Sequence, residues 1–218
     1  MKGLLIKDFN LLKNNKQFFI IIMLVGGAFA LAWDTPDFAI SYVSIVFTMF
    51  TISTISYDEY DNGMAYLFAL PVTRRGYALE KYVFGGVMVV CALAGMSALS
   101  WIVVAVKQIA YPLEEWAGVA GGSILVVIVL LALMIPLQFK FEADKSRIVL
   151  LAVCGCTALL AYAIAKISFS LGFDMGKAME GMITGHPGGM ITGCVLAGLL
   201  ILAISYTASV KILEKKEF

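Results

Sequence analysis

The sequence predicts an all-α integral membrane protein with six transmembrane helices in a single domain, residues 1–218. Three observations lead to this fold class. The chain is 61% hydrophobic and 14% charged, whereas a soluble domain is about half apolar and a quarter charged. Six apolar runs are each long enough to cross a bilayer. The Lys and Arg residues concentrate in alternate connections between these runs, as expected when one side of a membrane retains positive charge.

The first element is an amphipathic helix over residues 1–16. Leu5, Phe9 and Leu12 share one helical stripe, with lysines on its flanks, which is the pattern of a helix lying in the membrane interface. The alternative is a positively charged flank that only orients the first span.

Six predicted spans follow, each close to the roughly 20 residues that a membrane-crossing helix needs. They are residues 17–33, 38–56, 82–106, 116–137, 148–171 and 188–210. The first is the shortest and contains Ala28-Phe29-Ala30, so a cleaved signal peptide is an alternative there. The amphipathic stretch before it is long for the charged start of a signal peptide, which favours a retained span.

The distribution of positive charge predicts the orientation. Thirteen of the 16 Lys and Arg residues fall on the side of the N-terminus, in the N-terminal segment, the connections 57–81 and 138–147, and the C-terminal tail. Only Lys107, Lys166 and Lys177 lie elsewhere. Because positively charged loops stay in the cytoplasm, we expect both termini to be cytoplasmic.

The connection 57–81 predicts a short helix at the cytoplasmic face. Met64, Leu67 and Phe68 have helical spacing, Pro71 stops the helix, and Thr73 is suited to cap the helix that enters span 3. An apolar helix exposed at this surface is typical of a partner site. The alternative is an interfacial helix resting on lipid.

Span 2 carries a stripe of hydroxyl side chains at spacings of three and four residues, which places them on one helical face. They are Ser41, Ser44, Thr48 and Thr51. They either line a pathway for a partly polar substrate or hold helices together and bond their own backbone.

In span 5, Lys166 lies one turn beyond Tyr162 and is the only charge within a predicted span. It either snorkels to the outer surface or forms a cationic group at the mouth of a pathway. Small residues such as Gly118 and Gly122 in span 4 predict a close helix contact. The segment 172–189 predicts a small outer-face or re-entrant element before the last span.

Catalytic and metal-binding motifs are absent from the sequence. There is no phosphate-binding G-x-x-x-x-G-K-[ST] loop, the single histidine, His186, has no second ligand at metal spacing, and the four cysteines lie in apolar runs. The net charge of +1 gives no reason to expect nucleic acid. The predicted spans contain neither Asp nor Glu, which disfavours an intramembrane protease and a secondary transporter.

The connection 57–81 also carries a sequence motif. Glu59 and Gly63 precede Leu70-Pro71-Val72-Thr73-Arg74, and Leu79-Glu80-Lys81-Tyr82 follows. This order resembles the acidic-Gly, Leu-Pro-hydroxyl-Arg and Lys-Tyr pattern of small bacterial ABC-2 type permeases, the membrane subunits of ATP-driven exporters. Within that group the chain is similar to the membrane subunits of exporters for phenol-soluble modulins and lantibiotics. The resemblance extends over most of the chain, from the interfacial helix to the last span.

The resemblance implies a transport subunit of the bacterial cytoplasmic membrane that exports amphipathic or toxin-like peptides. In that family two permease subunits join two ATPase subunits, which bind ATP and Mg²⁺, so no cofactor is expected in this chain. The short helix of the connection 57–81, called the hinge helix below, docks in a groove of the ATPase in that family. The residues expected at this interface are Glu59, Met64, Leu67, Phe68, Leu70, Arg74 and Arg75.

By the same resemblance, spans 2 and 5 border the central pathway, which assigns to it the hydroxyl stripe together with Tyr162 and Lys166. Several alternatives stay open. The cargo is a peptide, a drug or a lipid, and the permease dimer is homomeric or heteromeric. A protein of a different class, a non-transporting membrane sensor or immunity factor, would use the same hinge to bind a partner.

Overall fold

A computed structural model describes residues 2–33, 35–108, 113–170 and 187–216, and within these ranges all regular structure is helical. The predicted all-α class is therefore confirmed. The α-helices are α1 (Lys2–Asn14), α2 (Lys16–Ala32), α3 (Asp37–Glu59), α4 (Gly63–Ala69), α5 (Arg74–Lys107), α6 (Leu113–Ser170) and α7 (Pro187–Lys215). A single 3₁₀ turn, Tyr60–Asn62, joins α3 to α4.

The amphipathic N-terminus is helical, as the sequence predicts. Helix α1 ends at Asn14, and the chain bends by 64° before α2 begins at Lys16. Leu4 and Asp8 form the buried side of α1. The position of α1 at a membrane surface stays a prediction.

Four of the described helical segments are long and apolar enough to cross a membrane, judged by length and composition. They are Asp37–Ala69, Arg74–Lys107, Gly118–Phe141 and Leu196–Lys215. The bent pair of α1 and α2 gives a fifth if it counts as one span. The four segments correspond to predicted spans 2, 3, 4 and 6. The predicted count of six is not confirmed.

Predicted spans 4 and 5 lie in one continuous helix, α6, and the predicted loop at 138–147 is wrong in this structure. The residues there, QFKFEADKSR, include neither Gly nor Pro, and most of them favour helix. Their charges mark a change in hydropathy, which does not require the backbone to break. At about 1.5 Å per residue α6 is about 87 Å long, far more than a hydrocarbon core of about 30 Å. Residues 172–186 of the predicted outer element lie outside the described residues.

Helix α3 occupies the centre of the helical packing, against α2, α5 and α6. Glycines permit two close crossings: a Cβ added at Gly26 would lie 2.5 Å from Val43 Cγ2, and one at Gly85 would lie 2.9 Å from Leu131 Cδ2. Backbones approach closely in membranes where residues are this small. Within the described part of this chain, a Cβ at Gly118 or Gly122 would meet nothing within 4 Å, so the predicted close contact there stays a prediction.

Candidate functional site

The hinge between α3 and α5 reverses the chain in a few residues. Asp61 and Asn62 adopt left-handed backbone conformations, with φ of 50° and 58°, which Asp and Asn tolerate better than most residues. Gly63 then starts α4, and a Cβ there would lie 2.6 Å from the carbonyl oxygen of Asp58. Only glycine fits this approach without a backbone shift. The glycine of the sequence motif, Gly63, is thus required for a steric reason.

Helix α4 is the short hinge helix that the sequence predicts. It ends at Ala69, directly before Leu70 and Pro71. The next helix begins at Arg74, where the hydroxyl of Thr73 accepts a hydrogen bond from the backbone N–H of Gly76 at 3.1 Å. The predicted cap at Thr73 is therefore confirmed.

The apolar stripe of α4 faces the protein itself. Met64 is 4% exposed and belongs to the core, and Leu67 and Phe68 pack against the same core. The Phe68 ring meets the Tyr77 ring edge-on, with centroids 5.7 Å apart, and the Arg74 guanidinium lies 5.8 Å from its centroid. These three apolar residues hold the hinge helix against its own domain. Leu67 and Phe68 are only half-buried, and their place at a partner surface stays a prediction.

The outer side of the hinge exposes different side chains. Tyr60 and Tyr66 are each 75% exposed and Leu70 is 62% exposed. Of these three residues, only Leu70 is among those predicted at the partner interface. The sequence did carry a signal for the tyrosines, because Tyr60 adjoins the acidic Asp61 and Tyr66 follows in the same connection, 57–81, which is predicted at the cytoplasmic face. An exposed aromatic patch of this kind is typical of protein interfaces.

Glu59, Arg74 and Arg75, which we expected at the partner interface, bind to α6 and to the end of α7. The Glu59 carboxylate accepts a hydrogen bond from Gln138 Nε2 at 3.0 Å. Arg74 donates to the backbone carbonyls of Leu213 and Glu214, each at 2.7 Å. Arg75 Nε lies 3.0 Å from Glu214 Oε1. Cations at the C-terminal end of a helix are favoured by its exposed carbonyls, so these contacts fix the hinge to α7.

A buried ion cluster lies behind the hinge and joins three helices. Lys81 of α5 has a fully buried side chain, and its Nζ is 2.5 Å from Asp8 Oδ2 of α1 and 3.0 Å from Asp58 Oδ2 of α3. The same Nζ donates to Thr54 Oγ1 at 3.1 Å. Tyr77 donates its hydroxyl to Asp58 at 3.0 Å. A buried ammonium group needs such partners because removal from water is costly.

Two further charged groups complete this cluster. Lys7 of α1 pairs with Asp58 from a partly exposed position. Glu80 is fully buried, lies 3.6 Å from Lys81 Nζ, and its carboxylate oxygens receive no hydrogen bond from the described residues. Sequence reasoning missed the cluster. Its only signal was the Glu80-Lys81-Tyr82 part of the motif, and nothing in the sequence indicated that residues 8, 58 and 81 meet.

The hydroxyl stripe of α3 is mostly enclosed. Ser44 and Thr48 are buried and donate to the carbonyls of Ile40 and Ser44, each at 2.7 Å. Thr51 is fully buried, and its hydroxyl has no hydrogen-bond partner among the described residues. Self-bonded hydroxyls are what the packing alternative predicts.

Ser41 differs from the rest of the stripe because it borders a cavity of about 410 Å³ between α3 and α6. The Ser41 hydroxyl lies 3.1 Å from the Ser123 hydroxyl, and both serines line the cavity. Phe38, Ile45 and Val126 supply apolar lining. The cavity therefore combines apolar walls with a hydroxyl pair.

Tyr162 and Lys166 are both exposed and lie one turn apart on the C-terminal part of α6. The structure does not bring either residue together with the hydroxyl stripe. Within the described part of the chain, no group of three or more His, Cys, Asp or Glu side chains is arranged to hold a metal ion.

Comparison with known proteins places nearly the whole chain in a single match. A family model described as ABC-2 family transporter protein matches residues 3–214. Neither a curated protein nor a solved structure matches the chain.

Proposed function

Because the chain belongs to the ABC-2 family of transporter proteins, we propose that it is the membrane permease subunit of an ATP-driven exporter of amphipathic peptides. The observation that carries this proposal is the outer side of the hinge, where Tyr66 projects from α4 away from its packed side. Tyr60, in the turn before α4, and Leu70, directly after it, are exposed as well. A rigidly held helix with an exposed aromatic patch fits the groove of a partner.

The partner in this proposal is an ATPase that binds ATP and Mg²⁺ and drives the permease from the cytoplasmic side. Two permease subunits, identical or different, join two ATPase subunits. Closure of the ATPase pair moves the two hinges. Each hinge moves its spans because Phe68 of α4 packs on Tyr77 of α5, and Arg74 and Lys81 connect α5 to α7, α3 and α1. Such a rigid-body rearrangement between packed helices is a common switching mechanism.

An amphipathic peptide is the cargo that we propose for the cavity beside Ser41. Its walls offer apolar contact and one hydroxyl pair, and a binding site of this composition accepts a ligand with both apolar and polar faces. Drugs and lipids of amphipathic character are the competing cargoes.

Reconstitution with an ATPase that co-purifies with the permease tests the function. Inverted proteoliposomes are supplied with ATP and with a labelled amphipathic helical peptide, an amphipathic dye or a fluorescent phospholipid. We expect the peptide to accumulate in an ATP-dependent manner. If only the dye or only the phospholipid accumulates, that compound class, and not the peptide, is the cargo. Stimulated ATP hydrolysis without accumulation of any of the three would support the non-transporting alternative.

Substitution of Ser41 by Leu is expected to lower peptide transport several-fold. The larger side chain fills the cavity and removes the hydroxyl that faces Ser123. The matched control is Ser53→Leu. Ser53 lies on the same helix but is exposed, and its hydroxyl donates to the backbone carbonyl of Met49, one turn earlier. Equal transport by the two variants would assign the stripe to helix packing.

Single cysteines at Thr35 and Asp61, in a chain whose own cysteines are replaced by Ala, test the orientation. We expect an impermeant thiol reagent to label position 35 on intact cells and position 61 only after the membrane is opened, because the positive charges lie on the side of residue 61. The reverse pattern of labelling would contradict cytoplasmic termini.

A further inference from the structure

An apolar groove of about 470 Å³ runs between α5, α6 and α7. Leu79, Tyr82, Gly86, Val90 and Leu93 line it from α5, and their spacing of three or four residues places them on one face of that helix. Helices α6 and α7 form the opposite walls. The groove is separate from the cavity beside Ser41 and from the outer face of the hinge.

The groove is open because its central residue has no side chain. A Cβ added at Gly86 would meet nothing within 4 Å. The neighbouring Gly85 points the other way, toward Leu131 and Thr51, so α5 is packed on one side and open on the other. The Tyr82 hydroxyl is already hydrogen-bonded to Ser209 at 2.9 Å. It therefore does not need a hydrogen bond from a molecule bound in the groove.

The groove is long enough to extend through the hydrocarbon half of one membrane leaflet. From Leu79 to Leu93 the helix rises about 21 Å, since each residue adds about 1.5 Å. Half of a hydrocarbon core is about 15 Å. Tyr82 and Tyr206 meet edge-on near the hinge end, with centroids 6.0 Å apart, and tyrosines of this kind favour the level of the lipid headgroups. The dimensions suit an acyl chain that enters beside the tyrosines.

Positive charge surrounds this end of the groove. Arg75 lies one turn before Leu79 with a side chain that is 73% exposed, and it pairs with Glu214, itself 44% exposed. Lys211 and Lys215 are exposed on the same end of α7. Among the described residues named here, three cations stand against one carboxylate and leave a positive surface. An exposed Arg–Glu pair is weak enough to exchange its partner. An anionic phosphate is complementary to this surface.

We propose that the groove binds one acyl chain of an anionic phospholipid and that Arg75 contacts its phosphate. The headgroup lies at the hinge end, and the chain passes Gly86 toward Leu93. This site goes beyond the proposed transport function, and its test does not use transport.

Native mass spectrometry of the full-length chain in detergent, with added phosphatidylglycerol or phosphatidylcholine, measures the site directly. We expect wild-type protein to retain one phosphatidylglycerol more strongly than phosphatidylcholine. Gly86→Leu should reduce retention of both lipids, because the leucine fills the groove. Arg75→Gln should weaken phosphatidylglycerol binding about tenfold, through loss of a charge-assisted hydrogen bond, and phosphatidylcholine binding less.

Two matched variants control for size and charge. Gly27→Leu adds the same side chain at another open glycine, on α2, and Lys13→Gln removes one exposed positive charge on α1. Both should retain phosphatidylglycerol like wild type. Unchanged retention in Gly86→Leu, or equal loss in the controls, would overturn the proposal. A chemically cross-linked dimer that disappears only in Gly86→Leu would assign the groove to a second copy of the chain and would also overturn it.

Discussion

Replacing Tyr66 by Asp is expected to weaken binding of the proposed ATPase by at least about a hundredfold. Tyr66 is 75% exposed on the outer face of the hinge helix, and tyrosine is among the residues that contribute most to protein interfaces. Burial of an aromatic side chain contributes about 1.5–3 kcal/mol, and the variant also buries an unpaired charge. A factor of ten corresponds to about 1.4 kcal/mol, so the combined loss reaches two orders of magnitude.

Co-purification of the ATPase with wild-type and variant permease, followed by measurement of stimulated ATP hydrolysis, tests this result. Gln108→Asp is the control for an added carboxylate, because Gln108 is exposed at the end of α5 that lies farthest from the hinge. Leu70→Asp should act like Tyr66→Asp. Full ATPase binding by both hinge variants would show that this face does not dock, and it would remove the main physical support for the proposed partner.

Phe68→Asp separates the two faces of the hinge helix. Phe68 packs against Tyr77 and the core, so a carboxylate there should lower the stability of the permease as well as its ATPase binding. Tyr66→Asp should leave stability unchanged, because surface substitutions usually alter it by less than about 0.5 kcal/mol. A stable Phe68→Asp protein that fails only in ATPase binding would instead place Phe68 at the interface.

Replacing Lys81 by Met is expected to destabilise the permease by about 3–5 kcal/mol, the usual cost of removing one partner from a buried ion pair. Lys81 is fully buried, and its Nζ pairs with Asp8 at 2.5 Å and with Asp58 at 3.0 Å. Its removal leaves Asp8 and Asp58 with the partly exposed Lys7 as their remaining cation, beside the fully buried Glu80. Because the cluster joins α1, α3 and α5, we expect α1 to lose its fixed position as well.

Denaturant unfolding of the purified chain in detergent measures this loss. The double variant Asp8→Asn with Lys81→Met should recover a large part of it, since replacing a buried pair by neutral groups is often tolerated. Lys140→Met serves as the control, because Lys140 is an exposed lysine on α6. A Lys81→Met protein as stable as wild type, or a double variant less stable than the single one, would contradict a compensating role for Lys81.

Local chemistry determined those features that the sequence predicted correctly. Pro71 cannot continue a helix and Thr73 offers a hydroxyl to the next one, so the boundary between α4 and α5 is encoded within a few residues. Runs of apolar side chains encode spans 2, 3, 4 and 6 in the same local manner. The motif from Glu59 to Tyr82 identified the family for the same reason, because it is a contiguous part of the chain.

Charge and periodicity were weaker guides to helix ends and helix faces. The charged residues between 138 and 147 changed the hydropathy, yet the backbone of α6 continues because none of them breaks a helix. The spacing of Met64, Leu67 and Phe68 identified an apolar face. It did not identify what covers that face, since periodicity is the same whether the helix packs on its own core or on a partner.

Only the tertiary structure decided which distant residues meet. Asp8, Asp58 and Lys81 come from three separate segments, and they form ion pairs only because α1, α3 and α5 converge behind the hinge. The left-handed turn at Asp61 and Asn62 directs the stripe of α4 inward and leaves Tyr66 outside. A sequence determines which groups need burial or a partner. The partner itself depends on the packing of the whole chain, because burial and charge pairing act through space between residues far apart in sequence.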